Sequence, residues 1–465
     1  MKKYWEKNKK TILSLAVLVV TFPVTVGLAQ KVIQLVTGAS FKPAAIVVTA
    51  DKSRGNLNTV WKGLSQGHEE KEMRLTSSVV LIKPLGMKYV RIDHIYDGFG
   101  VVERLDGRLV YDWTRLDALV GDIVAIGATP YFSLSYMPPA ISRGDILDMP
   151  VDWGEWGQVV TTTIEHYSRD YSGGLTNVIY EVWNEPDLFG SWKIAGEKNY
   201  TQLYTVAARA AMTTNGVKTF KIGGPATTGF YKNWVDGFYM KLDSEVRIDF
   251  FSWHRYSAKV EDFVKDAELA KELIAPQITK SQDLYISEWG VNSERGSQYD
   301  GMWAGAHFLA VSRALSDTVV DMALAFEVQD GNQGDQQLHG GWGMLTNPKF
   351  GEVVQKPRFK ALGMISKLSG VRLGLMGEGD YITAMAARDD QGVVRIMAVN
   401  YDEKGKHSEV FPLTITSLEG SSYSVTEEYL SGRRITNVLL TENGNIKREI
   451  VLPASEAVLV TVTAK

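Results

Sequence analysis

Two glutamates end short apolar runs that read as buried strands: Glu185 in Val-Ile-Tyr-Glu-Val-Trp-Asn-Glu-Pro-Asp (178–187) and Glu288 in Leu-Tyr-Ile-Ser-Glu-Trp-Gly (284–290). Breaking an acetal requires one carboxyl that keeps its proton near neutral pH. It also requires a second that stays ionised against the developing oxocarbenium charge. Trp183 and Trp289 lie beside these glutamates, and an indole that excludes water raises a carboxyl pKa. The chemistry such a pair could perform is glycosidic cleavage, provided the fold brings the two side chains to one pocket.

Eight continuous apolar runs could supply that fold: 44–49, 89–95, 129–134, 178–183, 220–224, 248–253, 284–287 and 322–328. Such runs mark strands buried on both faces, as in a parallel sheet. Between them lie segments of helical period at 70–81, 113–126, 156–167, 200–214, 260–273 and 301–315. The alternation predicts an α/β chain built on a (β/α)8 TIM barrel over 44–370, in which side chains at the C-terminal strand ends share one mouth. Glu185 and Glu288 end the fourth and seventh strands and would meet there. No Gly-x-Gly-x-x-Gly follows an early strand, which argues against a dinucleotide fold. From 371 to 465 short alternating strands are separated by turn signals such as Asp390-Gln-Gly392 and Glu442-Asn-Gly-Asn445, which predicts a C-terminal antiparallel β-sandwich.

The order Trp183-Asn-Glu-Pro-Asp187, then Ser287-Glu-Trp-Gly290, resembles glycoside hydrolase clan A, and further segments resemble glycoside hydrolase family 39, the family of β-xylosidases and α-L-iduronidase. These are Tyr180 to Pro186, Ser135-Tyr-Met-Pro138, His254-Arg-Tyr256, His339-Gly-Gly-Trp-Gly-Met344 and Lys356-Pro357, and the resemblance runs from about Asn56 to the C-terminus. It implies a retaining hydrolase with Glu185 as acid/base and Glu288 as nucleophile. By the same resemblance Asn184 would donate to the sugar 2-hydroxyl, while His254 and Tyr256 would orient Glu288 and bind sugar hydroxyls. Where the family usually has Arg-x-His-Gly, this chain reads Arg91-Ile-Asp-His94, so a gapless match places Asp93 where the sugar-binding His is expected. A carboxylate there disfavours an acidic sugar. Phe326-Glu-Val-Gln-Asp330 also departs from the xylosidase pattern. Asp93, His94 and Trp342 are candidate sugar contacts, Trp342 as a platform under a ring, and Met137 and Gln329 border the same loops.

Other polar residues read as structural. Glu181 shares the strand parity of Glu185 and is expected as a buried acid paired with Arg or Lys, and His307 as a packing residue. Asp97, Asp330, Asp335 and His339 lack the spacing of a metal loop and read as solvated charges, so neither metal nor cofactor is expected.

The bulk numbers are compatible with this picture. At 465 residues, 45% hydrophobic and 22% charged, the chain can bury a large core, and its 12 Trp and 20 Tyr suit sugar stacking as well as packing. A net charge of −4 with no long basic block gives no reason to expect a nucleic acid partner, and the absence of Cys rules out disulfides and thiolate metal sites. Lys2, Lys3, Lys7, Lys9 and Lys10 precede a charge-free run from Thr11 to Ala29. As a helix that run would span roughly 28 Å, close to a bilayer core, which predicts a signal anchor or signal peptide over 1–29, a linker over 30–43 and an extracytoplasmic chain, membrane-tethered or secreted. The expected partner is an oligo- or polysaccharide, cut exo-wise at a xylose-like residue. The alternatives are endo-cleavage of an exopolysaccharide or carbohydrate binding without catalysis. Oligomeric state stays open.

Overall fold

The computed structural model describes residues 41–68, 70, 73–242, 245–274 and 282–465. The expected targeting segment and most of the expected linker lie outside these residues. No helix among the described residues is long and apolar enough to cross a membrane. The described residues divide into two compact units, one within Asn58–Ala304 and Ala314–Ser366, the other of residues 41–57, Gly305–Arg313 and Lys367–Lys465.

The first strand, β1 (Ile46–Asn56), corrects an expectation. The run at 44–49 was expected to open the barrel, yet β1 pairs antiparallel with a strand at Val371–Met376 and parallel with one at Glu409–Thr416. Its burial alternates, with Ile46 and Val48 fully inside and Val47 and Thr49 half-buried, as in a strand with one covered face.

The barrel opens instead with β2 (Gly63–Gln66), continues through β3 (Tyr89–Ile92), and is followed by a side hairpin of β4 (Val102–Leu105) and β5 (Arg108–Tyr111). It then takes β6 (Thr129–Leu134), β7 (Val178–Val182), β8 (Phe220–Thr227), β9 (Phe250–Tyr256), β10 (Asp283–Gly290) and β11 (Met322–Phe326). These strands close in the order β2-β3-β6-β7-β8-β9-β10-β11 and back to β2. Every barrel pairing is parallel. Seven of the eight expected runs are therefore barrel strands. β2 carries one large apolar residue, and its Gly63 is needed for space: a Cβ there would stand 2.8 Å from Cγ of Leu324 and 3.0 Å from Cγ of Met322. Those two side chains join Tyr131, Ile179, Phe250 and Tyr285 in a cluster that fills the barrel.

Helices cover the outside by the usual periodicity. In Trp153–Glu165, Asp152 caps the start by accepting from the Gly154 amide at 2.6 Å, and Trp156, Val159, Val160, Thr163 and Ile164 form the buried stripe. Each large apolar side chain so buried contributes roughly 1.5–3 kcal/mol. Of the expected helix at 70–81, the described part is helical only from Thr76. The Asp122 carboxylate captures the Leu75 amide at 2.9 Å and the Thr76 hydroxyl at 3.0 Å, holding the approach in a non-helical path.

The second unit contains β12 (Val371–Met376), β13 (Ile382–Arg388), β14 (Val394–Asn400), β15 (Glu409–Thr416), β16 (Ser422–Tyr429), β17 (Arg434–Leu440), β18 (Ile446–Leu452) and β19 (Ala457–Ala464). With β1 they form one nine-stranded sheet, ordered β17-β16-β19-β14-β13-β12-β1-β15-β18. Residues from both ends of this order, among them Val425 and Ile450, share one apolar cluster with Ile46 and Val48, so the sheet curls around a common core. Inserting β1 makes one pairing parallel in an otherwise antiparallel sheet. His307, as expected, is buried and packs edge-on against Tyr401, with ring centroids 5.3 Å apart.

Candidate active site

Five barrel strands supply the polar groups at the mouth. Arg91 on β3 is fully buried and its planar fork reaches three partners. Nε donates to Glu181 Oε2 at 2.7 Å, Nη1 to Glu288 Oε2 at 3.2 Å and Nη2 to Asn184 Oδ1 at 2.8 Å. Glu181 also accepts from the Tyr131 hydroxyl at 2.7 Å, which fulfils the expectation of a buried, cation-paired acid. Asn184 spends its amide nitrogen on Tyr136 Oη at 2.9 Å.

The backbone after β7 turns sharply to aim these groups. Trp183 and Glu185 have φ of 74° and 47°, and His94 after β3 has 52°. Such angles cost non-glycine residues about 1–3 kcal/mol each and persist where surrounding bonds fix them. Here Ser133 Oγ donates to the Trp183 carbonyl at 2.9 Å, Trp183 Nε1 to the Phe189 carbonyl at 2.9 Å, and the Glu185 amide to the Ala226 carbonyl at 3.0 Å.

Glu185 and Glu288 do meet. A carboxylate oxygen of each and an imidazole nitrogen of His254 all lie within 4.8 Å of one another. Tyr256 donates its hydroxyl to Glu288 Oε1 at 2.5 Å. His254 Nδ1 stands 2.8 Å from Glu185 Oε1 and 3.9 Å from Glu288 Oε2. Tyr256 thus orients Glu288 as expected, whereas the hydrogen-bond partner of His254 is Glu185. His254 is wholly buried and is not among the residues that line the cavity. Three donors at this spacing could hold a cation. The Arg91 guanidinium already brings a positive charge to the Glu288 oxygen.

The electrostatics follow from burial. Burial raises the Glu288 carboxyl above its ordinary value, outweighing His254 and Arg91, and the like charge of Glu185 adds to the rise. Burial would lower His254, but Glu288 and Glu185 beside it prevail and its pKa is raised. For Glu181, burial opposes ionisation, yet Arg91 prevails and the carboxyl is held below the usual range.

The cavity is about 280 Å³ and is lined by Glu185 and Glu288 with Asn184, Tyr136 and Tyr256, by Asp93, His94, His68 and Gly67, and by Leu188, Phe189, Ser293, Phe326 and Trp342. Asp93, His94, Asn184, Tyr256 and Trp342 are therefore at the site, as the sequence suggested. Trp342 packs edge-on against Phe326, with the Arg295 guanidinium 4.7 Å from its ring centre. Met137 and Gln329 are buried away from the lining. Gln329 bonds to Ser78 Oγ at 3.0 Å and to Gln66. Asp330, expected as a solvated charge, is buried and paired with Lys356 Nζ at 2.7 Å, and Asp97 pairs with His94 Nδ1 at 2.8 Å. His68, Leu188 and Phe189 escaped the sequence reading. His68 follows a strand with no apolar run, although Leu188 and Phe189 lie within four residues of Glu185.

A closed parallel barrel whose mouth holds two close carboxyls in a cavity of sugar dimensions is the build of a glycoside hydrolase. The chain belongs to the Glycosyl hydrolases family 39, whose sequence profile matches residues 44–407. It is similar to a beta-xylosidase of Geobacillus stearothermophilus, 24% identical over 397 residues that cover 76% of each protein. Its fold is similar to the GH39 enzyme of Xanthomonas axonopodis pv. citri, with TM-score 0.77, 19% identity and coverage of 92% of this chain and 99% of that one. A monomeric beta-xylosidase of Caulobacter crescentus CB15 gives 0.76, 22%, 90% and 99%.

Proposed function

We propose that this hydrolase is retaining and exo-acting on a β-linked, xylose-like residue, with Glu288 as nucleophile and Glu185 as acid/base. The observation that carries the proposal is the approach of the two carboxylates within 4.8 Å across one cavity. Retaining enzymes hold their carboxyls about 5–5.5 Å apart, while inverting ones need about 6.5–9.5 Å to admit a water.

The roles follow from the donors. Glu288 accepts from the Tyr256 hydroxyl and from Arg91, groups that favour its ionised form against the burial that raises its pKa. Glu185 faces His254 across a hydrogen bond of 2.8 Å, which holds its carboxyl at the cavity. Glu288 then attacks the anomeric carbon as Glu185 protonates the leaving oxygen. In the second step Glu185 takes a proton from water, and that water displaces Glu288 from the sugar.

The cavity, at about 280 Å³, lies just below the range of about 300–1,000 Å³ for small-ligand pockets, which favours a single terminal sugar over an endo-acting cleft. The beta-xylosidase relatives support a pentose. The basic flank and apolar run at the N-terminus support delivery across a membrane, which proteolysis of intact and lysed cells would test. The chemical test is an activated 2-fluoro-glycoside with mass spectrometry of the labelled peptide. A covalent sugar on Glu288 is expected. Turnover with inversion and no adduct would refute the mechanism.

A further inference from the structure

Asp93 lines the cavity, is only 7% exposed, and takes no hydrogen bond or ion pair among the described residues; its Oδ1 is shut from solvent as well. A largely buried carboxylate without hydrogen-bond donors is costly, and the charge of Arg91 offsets that cost only through space. Its neighbours do not repair this. His94 directs Nδ1 to Asp97 Oδ2 at 2.8 Å, and the Asp97 Oδ1 accepts from the Tyr136 amide at 3.0 Å. His68, on the same wall, has a buried Nδ1 with no partner, and its ring packs where a Cβ on Gly98 would meet it at 2.6 Å. Burial, followed by the charge of His94, lowers the His68 pKa, so the imidazole is neutral and can accept or donate one bond.

Sugar hydroxyls are the donors this wall lacks. Resting on the retaining reading above, we propose that Asp93 accepts hydrogen bonds from a pair of adjacent hydroxyls on the reacting sugar, with His68 bonding one of them, and that the substrate class is a neutral glycone. Charge points the same way. No Lys or Arg is among the described lining residues, and Arg91, behind them, is already bonded to Glu181, Asn184 and Glu288, so a uronate would enter beside Asp93 with no lining cation to pair with.

The test compares wild type with Asp93→Asn and Asp93→Ala on aryl β-xyloside, its singly deoxygenated analogues and the aryl β-uronide. Removing one of the two engaged hydroxyls should lower wild-type kcat/KM by about 100-fold or more, because a charged acceptor is left unpaired. In Asp93→Ala the same deoxygenation should cost less than about 5-fold, the coupling expected of groups in contact. Asp93→Asn should lose about 10- to 100-fold on the neutral sugar and narrow the gap to the uronide. Equal deoxygenation penalties in wild type and variants, or a wild type that takes the uronide as well as the neutral sugar, would overturn the assignment. Glu288 labelling with no coupling to Asp93 would sink this inference alone. Failure of both labelling and turnover would sink the retaining reading, and calorimetric binding of the same sugars would still test Asp93. Thermal melting identifies any variant that fails to fold, and the near-isosteric Asn then stands in for Ala.

Discussion

Tyr256 and Arg91 divide the oxygens of Glu288 between them, so each can be removed with a distinct result. Tyr256→Phe should lower kcat by about 10- to 100-fold and change KM little, as expected for a group that positions rather than binds. The hydroxyl bond lowers the Glu288 pKa, so its loss should raise that value further and shift the acid limb of the kcat/KM profile to higher pH. An unmoved limb would mean that this hydroxyl does not stabilise the ionised carboxyl. Glu288→Ala should reduce turnover by about 10⁴-fold or more while leaving sugar affinity measurable by calorimetry. At this scale the two glutamates that meet at the mouth could be read from Asn-Glu-Pro and Ser-Glu-Trp-Gly, because each sits beside an apolar run that fixes its place at a strand end. The partner of His254 could not, since a hydrogen bond between β9 and the turn after β7 depends on side-chain directions that neither segment encodes alone.

Arg91 acts at the scale of elements. From β3 it bonds to Glu181 on β7, to Asn184 just beyond β7 and to Glu288 on β10, tying three staves of the barrel through one guanidinium. Arg91→Met removes the guanidinium and leaves Glu181 and Glu288 buried without it, which should cost about 3–5 kcal/mol in denaturant unfolding. Glu181 adds a pH signature. Its folded-state pKa is depressed, so its stabilisation is complete above the unfolded value of about 4.3 and is lost as pH falls through the lower folded value. Glu181→Gln should therefore destabilise at neutral pH and flatten the acid decline. A decline of unchanged steepness would assign it to other carboxylates. Seven barrel strands were legible as apolar runs. β2 was not, because its glycine makes room for Leu324 and Met322 rather than contributing a side chain of its own, and with β2 went the position of His68.

At the scale of the whole molecule, β1 is the element whose sequence misled. Its apolar run matched the length of a barrel strand, yet its partners β12 and β15 lie near the other end of the chain, and pairing across such a distance leaves no local signature. Ile46→Ala should destabilise the sheet unit by about 2–5 kcal/mol. A chain starting at Asn58 keeps every cavity residue but unseals the facing edges of β12 and β15, and it should scatter light and precipitate on expression.

The placement of β1 also sets a timetable for synthesis. Ile46 leaves the ribosome well before Leu413, its partner on β15, so β1 lacks that neighbour while the whole barrel sequence between them is made. The intervening barrel sequence is complete long before then and is free to acquire its structure first, while β1 stays exposed and adhesive. A cell making this enzyme therefore has reason to keep a holdase on those first strands until translation ends.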